Sequence, residues 1–383
     1  MTSLVAQSLP PVDVADREHR ARAAVAAAGV EALVVTGLSN ARWLTGFAGS
    51  NATVLITADE LVLYTDSRYA DRAPVELGAV GSSARVVIAR ADLGDRVAEE
   101  LEGTTRVGLE AEYLTWARQR SIATSWLPGR ELIATEEVLD RVRAVKDDAE
   151  LARIEAAAAI VDGALAATVP MFTQRPTERE FAVALEARIR SDASAIHGAT
   201  GVETDIGFDT IVASGPNGAI PHHAPGERTI DRGDLVIVDV GGRIDGYRSD
   251  MTRTFSVGPM STDQARHYDT VIAAQQAGVE AMTVGAETNT VDAAARQVIE
   301  DAGWGDAFVH GTGHGVGLDI HELPRVSAIS GSDDRYEAGT VATVEPGVYL
   351  RGVAGVRIED TCVATAEGAR RLTGYPKDPE LGS

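Results

Sequence analysis

A carboxylate set inside an otherwise unbroken apolar run governs what this chain can become. Leu235-Val236-Ile237-Val238-Asp239-Val240 reads as a buried strand that carries an acid. Gly241-Gly242 and the turn dipeptide Asp245-Gly246 follow, and the chain returns through Tyr247-Arg248-Ser249-Asp250-Met251-Thr252. With the fold-back placed about Ile244 and Asp245, Asp239 and Asp250 face one another. Directly opposed residues of a hairpin hold their Cβ atoms roughly 5 Å apart, so two carboxylates would share one site. Near the C-terminus the arrangement recurs: Val341-Ala342-Thr343-Val344-Glu345 runs into Pro346-Gly347, and Gly355-Val356-Arg357-Ile358-Glu359 returns about Gly352, opposing Glu345 and Glu359. A bulge in either hairpin would shift these registers.

A buried carboxylate must be paired, protonated or bound to metal. Arg253 and Arg357 lie on the same strands and offer salt bridges, but four acids would need four cations. Two divalent ions neutralise four carboxylates. An imidazole is at hand in Phe308-Val309-His310-Gly311-Thr312-Gly313-His314-Gly315-Val316-Gly317, where glycines let bulky groups approach the histidine. His310, His314 and His321 fall in one short stretch of a chain with 8 histidines. An oxygen-rich set with one imidazole suits manganese, cobalt or zinc better than a soft-metal site. The expectation is a metal-dependent hydrolase site assembled from Asp239, Asp250, His314, Glu345 and Glu359.

The rest of the chain supplies a two-domain frame. From about Asp16 to Trp126, helical and strand signals alternate: an Ala-rich helix over Arg20 to Ala28, then short apolar runs at Ala32 to Thr36, Thr53 to Ile56 and Leu61 to Tyr64. Thr45 to Asn51 reads as a Gly/Ser-punctuated turn, and Trp126-Leu127-Pro128-Gly129 as the close of this α/β unit. A second unit opens with a helix at Asp147 and Glu150 and another at Thr177-x-x-Glu180, followed by the strands through Asp239 and Asp250. Ser261-x-x-Gln264 and Thr290 then open two more helices, the second ending near Gly303, before the strands carrying Glu345 and Glu359. The order helix, helix, strands thus occurs twice, which predicts an internal duplication of architecture.

With 383 residues, 44% hydrophobic and 24% charged, the chain has core enough for both units. A net charge of −22 repels polyanions and argues against nucleic acid or an anionic membrane as partner. The N-terminal MTSLVAQSLPPVDVADREHR lacks a basic region followed by an apolar core, and no segment approaches the ~20 apolar residues of a membrane span, so a cytoplasmic location is expected. Cys362 is alone, which rules out an intrachain disulfide and suits a reducing compartment; its apolar neighbours predict a small buried hydrophobe.

Together, Pro221-His222-His223, VDVGGRIDGYRSDMTRTF, FVHGTGHGVGLDIHELP, VEPGVY and GVRIED resemble the motif series of the pita-bread metallopeptidases, in the branch of Xaa-Pro aminopeptidases and Xaa-Pro dipeptidases (prolidases). The resemblance covers essentially the whole chain. It implies an α/β (α+β) fold: a smaller creatinase-type α/β N-terminal domain over residues 1–140, and a catalytic pita-bread domain with internal pseudo-two-fold duplication over 141–383. It further implies that Asp239 is a bidentate ligand of one metal, His314 binds the other, Asp250 and Glu359 bridge both, and Glu345 is a ligand that also handles a proton. His222 and His321 match histidines that contact substrate and stabilise the tetrahedral intermediate, with His223 adjacent and able to take the role of His222. His310 matches a pocket-lining histidine, and Arg357 joins these residues at the substrate. Two divalent ions are implied, Mn2+ first with Co2+ or Zn2+ as alternatives, acting on peptides with proline at the second position in a homodimer or homotetramer. The segments Trp43 to Ser50 and Thr65 to Tyr69 look more like bacterial aminopeptidases P than prolidases, so the aminopeptidase is the expected activity and the dipeptidase its alternative. A non-catalytic peptide-binding module is a remote third reading.

Overall fold

The computed structural model describes residues 9–197, 203–331 and 334–379, with side chains described up to 191 in the first of these spans. The N-terminal segment read above for a leader therefore begins outside the described residues. The chain divides into two compact units, one of Pro11–Arg143 and one built from Ala144 onward.

The first unit runs α1 (Ala15–Ala27), β1 (Ala32–Val35), α2 (Leu38–Thr45), β2 (Thr53–Thr57), β3 (Leu61–Thr65), α3 (Arg72–Ala79), β4 (Arg85–Ile88), α4 (Leu93–Glu100), β5 (Arg106–Glu110), α5 (Trp116–Ser121), β6 (Glu131–Thr135) and α6 (Val138–Ala144). Its six strands form one sheet in the order β4-β3-β2-β1-β5-β6. The β1-β2-β3 meander is antiparallel and the outer strands add parallel to it. The central strands read as continuous apolar runs because every residue of β1 and β3 is buried. Trp126 to Gly129 does not close the unit: β6 follows it and pairs with β5 along its whole length. The tryptophan is partly buried and packs against the core cluster of this unit, as do Leu114 and Leu132.

This unit buries an acid of its own. Glu110, at the end of β5, accepts from the amides of Thr36 (2.6 Å) and Gly37 (2.8 Å) and from Asn40 Nδ2 (2.8 Å). Burial outweighs these donors and raises its pKa to about 7. A carboxyl whose folded pKa is raised contributes stability that is fully present below its unfolded pKa and lost as pH rises through about 7. Glu110→Gln should therefore flatten the fall in Tm between about pH 5 and pH 8, measured by thermal scans against the wild type.

The second unit opens with α7 (Asp148–Thr168) and α8 (Glu178–His197). The capping box read at Thr177 forms, with Thr177 Oγ1 accepting from the Glu180 amide at 3.1 Å, and the helix start read at Asp147 proves to be one too, Asp147 Oδ1 accepting from the Glu150 amide at 2.8 Å. Contrary to the expectation of no span-length apolar segment, Asp148–Gln174 is long and apolar enough to cross a membrane by length and composition. Half of its apolar window is buried in this unit, where Ala157, Val161 and Leu165 join Phe181, Val236 and Val238 in one core cluster.

Then follow β7 (Thr204–Ile206), β8 (Ile211–Ser214), β9 (Leu235–Val240), β10 (Gly242–Ile244), β11 (Tyr247–Arg248) and β12 (Met251–Ser256). The helix pair recurs as α9 (Thr262–Ala281) and α10 (Thr288–Asp301), and the strands as β13 (Gly313–Gly315), β14 (Glu322–Val326), β15 (Val341–Val344), β16 (Gly347–Leu350), β17 (Ala354–Arg357), β18 (Asp360–Thr365) and β19 (Gly368–Arg371). Ser261 and Gln264 cap α9 reciprocally as expected. Helix α10 starts two residues before Thr290, whose hydroxyl instead donates to the Glu287 carbonyl at 2.6 Å inside the first turn.

Each half holds a long hairpin broken in the middle. In the first, β9 pairs with β12 and β10 with β11. In the second, β15 pairs with β18 and β16 with β17. The second hairpin folds about Gly352 as predicted, and its register carries Glu345 opposite Glu359 in the break. The first differs by one residue at its turn. Asp245 (φ 48°) and Gly246 (φ 82°) are both left-handed, as a two-residue primed turn requires, so the fold-back lies between them. Asp239 consequently opposes Thr252, and Asp250 sits two residues along. The change is even, so Asp250 keeps to the face of Asp239 and becomes its diagonal neighbour.

Candidate metal centre

The two hairpin breaks and the glycine-rich segment around β13 converge on a cavity of about 400 Å³, lined by Asp239, Asp250, His314, Glu345 and Glu359, with His222, His310 and His321. Glycine is required on either side of His314. A Cβ at Gly313 would run into the Thr343 carbonyl, and one at Gly315 into the Leu323 carbonyl.

The protonation of His314 follows from its contacts. Its Nδ1 lies 3.0 Å from the Gly315 carbonyl, which can only accept, so Nδ1 carries the hydrogen. Burial lowers the pKa and keeps the ring neutral. The lone pair on Nε2 is then left 3.3 Å from Glu345 Oε1 and 3.7 Å from Asp250 Oδ2. Acceptors facing acceptors at these distances require a proton or a cation among them. Two further observations agree: Asp239 Oδ1 and Glu359 Oε1 are buried without a hydrogen-bond partner, and donor atoms of Asp250, His314 and Glu359 lie within 4.8 Å of one another. Burial, reinforced by the neighbouring acids, raises the pKa values of Asp250 and Glu359 well above the carboxylate range. Glu345 is raised too, with burial the first cause. This donor set fits divalent metal.

Each hairpin holds the other's acid. Thr252 Oγ1 donates to Glu359 Oε2 at 2.6 Å, and the Glu359 amide donates to the Thr252 carbonyl at 3.1 Å. Reciprocally, Thr361 Oγ1 donates to the Asp250 carbonyl at 2.7 Å and accepts from the Asp250 amide at 3.2 Å. Thr343 Oγ1 accepts from the His314 amide at 3.0 Å and donates to Glu345 Oε1 at 3.3 Å. These threonines were missed in the sequence, although each lies two positions from an acid, the spacing that keeps strand residues on one face.

Of the two arginines weighed as salt-bridge partners, only one meets the acids. Arg357 is buried and donates to Asp239 Oδ2 at 2.6 Å, Tyr349 Oη at 2.8 Å, Thr252 Oγ1 at 3.1 Å and the Pro221 carbonyl at 3.3 Å. Four of its five N–H groups thus bond within the protein, while the side chain also lines the cavity. Arg253 pairs with Asp360 at 2.8 Å and donates to the Glu359 carbonyl.

The histidines divide by surroundings. His223 turns to the buried Glu178, with Nε2 2.8 Å from Oε2, while His222 lines the cavity. Glu178 also accepts from Ser214, Asn217 and the Gly226 amide. His310 donates from Nδ1 to the Gly311 carbonyl (2.7 Å), so Nε2 accepts from Tyr349 Oη (2.8 Å). His321 lies edge-on to His314 with ring centroids 4.4 Å apart. Phe208, Ile211, Ile320, Arg325 and Arg357 are also on the cavity wall. Arg325 stands opposite His314 in the β13–β14 pairing, just past the quoted motif, where the sequence reading stopped.

The metallopeptidase family M24 model matches residues 152–366, and the creatinase/prolidase N-terminal domain matches residues 17–145. An Xaa-Pro dipeptidase of Pyrococcus furiosus is 34% identical over 320 residues, 84% of this chain and 86% of that protein. The solved structure of an Xaa-Pro dipeptidase from Bacillus anthracis is 34% identical and superposes with a TM-score of 0.86 over 96% of this chain and 100% of that one. An X-Pro aminopeptidase structure from Thermotoga maritima is 30% identical, with a TM-score of 0.81 over 94% and 100% of the two chains. The chain belongs to metallopeptidase family M24: it is a hydrolase with a creatinase/prolidase-type domain followed by a pita-bread catalytic domain.

Proposed function

We propose that the chain is an Xaa-Pro dipeptidase, which reverses the aminopeptidase preference drawn from the N-terminal segments. The single observation that carries the chemistry is His314 Nε2 facing the carboxyl oxygens of Glu345 and Asp250 at 3.3 and 3.7 Å. The dipeptide specificity is supported by the relatives named Xaa-Pro dipeptidase, and by Arg325 on the cavity wall. A free dipeptide ends in a carboxylate at the proline, and a guanidinium there recognises it; a longer peptide has an amide at that point.

Two divalent ions, Mn2+ first and Co2+ or Zn2+ as alternatives, would be held by Asp239, Asp250, His314, Glu345 and Glu359 and would supply the Lewis acidity that makes water nucleophilic near neutral pH. Glu345 takes the water proton and delivers it to the leaving prolyl nitrogen. His222 and His321 donate to the carbonyl oxygen as charge develops on it. His310, both of whose nitrogens are engaged, shapes the wall, and Arg357 acts through Asp239. A prolyl amide has no N–H, so a site that acts from the carbonyl side suits it. The single buried Cys362 fits a reducing compartment such as the cytoplasm.

The test uses chelator-stripped enzyme resupplied with Mn2+, Co2+ or Zn2+ and assayed on an Xaa-Pro dipeptide beside an Xaa-Pro-Yaa tripeptide. Metal-dependent cleavage of the dipeptide is expected, and Arg325→Ala should raise its KM about tenfold to a hundredfold, the worth of a hydrogen bond to a charged group. Equal turnover of the tripeptide would restore the aminopeptidase reading, for which the Thermotoga maritima structure speaks. Equal activity with and without metal would remove the mechanism.

A further inference from the structure

The segment carrying His310 and His314 is rich in glycine, so its own backbone does little to hold it in place. It is held from outside by two side chains on successive turns of α10. Asp292, fully buried, accepts through Oδ1 from the Thr312 amide at 3.0 Å and from Thr312 Oγ1 at 2.9 Å. Arg296, four residues on, grips the same carboxylate through Nε and Nη2, both at 3.0 Å. It also donates to the carbonyls of Phe308 at 3.2 Å and His310 at 2.9 Å, and its guanidinium lies 4.2 Å from the Phe308 ring centroid. Alternate residues 308, 310 and 312 are thus pinned to one helix by an aspartate and an arginine that oppose each other's charge.

The pinned peptide leads directly to the site. The Thr312 carbonyl accepts from the Glu345 amide at 2.7 Å, and His314 lies two residues beyond. None of the five acid and imidazole donors touches Asp292 or Arg296 in these contacts, so any effect on the centre must pass through backbone placement. Groups that orient ligands from outside are commonly worth tenfold to a hundredfold in metal affinity.

We propose that the Asp292–Arg296 pair is a positioning device that sets the spacing of His314 and Glu345 and thereby the affinity of the centre for divalent metal. The proposal rests on the metal reading above. Its test follows Mn2+ binding to the chelator-stripped full chain by calorimetry, together with kcat and KM on an Xaa-Pro dipeptide. Asp292→Asn turns one carboxylate oxygen into an NH2 that faces either Arg296 Nε or the Thr312 donors, and Arg296→Met frees the two carbonyls. Thr312→Val removes one hydroxyl and Thr312→Ser returns it, which keeps the test alive if the buried aspartate variant fails to fold. Weakening of Mn2+ binding by about tenfold or more is expected for Arg296→Met and Thr312→Val, with kcat falling further than KM moves, and recovery in Thr312→Ser. Wild-type Mn2+ affinity and kcat in Arg296→Met and Thr312→Val, or no recovery in Thr312→Ser, would overturn the proposal even if Tm falls. Failure of the wild type itself to take up Mn2+ would instead overturn the metal reading.

Discussion

Glu345→Ala should lower kcat on an Xaa-Pro dipeptide by about a thousandfold or more while leaving the fold intact. The activity loss combines a missing proton carrier, usually worth about 10²–10⁴, with a missing metal donor. The intact fold follows from the charge count. In the metal-free protein Glu345 is one of the charges that raise the pKa values of Asp250 and Glu359, so its removal relieves repulsion. Its side chain makes one long hydrogen bond, 3.3 Å from Thr343 Oγ1, so little is lost in exchange. Circular dichroism and thermal scans of the metal-free variant should match or exceed the wild type. The sign with pH is also set: carboxyls whose folded pKa values are raised favour the fold at low pH and cost it stability as pH rises through those values. Glu345→Ala should make that decline shallower. A variant with wild-type kcat would strip Glu345 of its role.

Arg357→Met should be the most damaging change to the metal-free chain, costing about 3–5 kcal/mol, because breaking a buried pair leaves Asp239 uncompensated among three other acids. Its guanidinium also satisfies Tyr349 and Thr252, so several acceptors lose their donor at once. Divalent metal held by Asp239 would supply the same counter-charge. Urea unfolding with and without Mn2+ should therefore show much of the deficit recovered in the loaded protein. A deficit of equal size in both states would mean that Arg357 serves packing and not the charge of Asp239.

Charge and alternation made much of this legible in advance. Apolar strands carrying acids have few solutions, and the Glu345 and Glu359 register about Gly352 emerged as predicted. The Asp239 register did not, because the arithmetic placed the fold-back one residue early, although Asp245-Gly246 was recognised as the turn. The face was preserved only because strand alternation has a period of two. Capping boxes at Asp147, Thr177 and Ser261 were readable because their hydrogen bonds are local. The partners of His223, Arg357 and His310 were not, since Glu178, Asp239 and Tyr349 are brought to them by long-range pairing. Nor did spacing distinguish a dipeptide site from an open one; under the proposed function that turns on Arg325, which lies just past the quoted motifs.

The crossed threonines have a consequence for assembly. Asp250 is seated by Thr361 and Glu359 by Thr252, so for these two acids the hydroxyl that bonds each one lies in the other half of the domain. A chain severed in the connection ahead of Ser261 would yield two complementary fragments, each with half of the acids and only the second with His314. Neither could bind metal as the whole does. Metal uptake and reunion of the fragments would be a single equilibrium, with the ions acting as the fastener between the two halves.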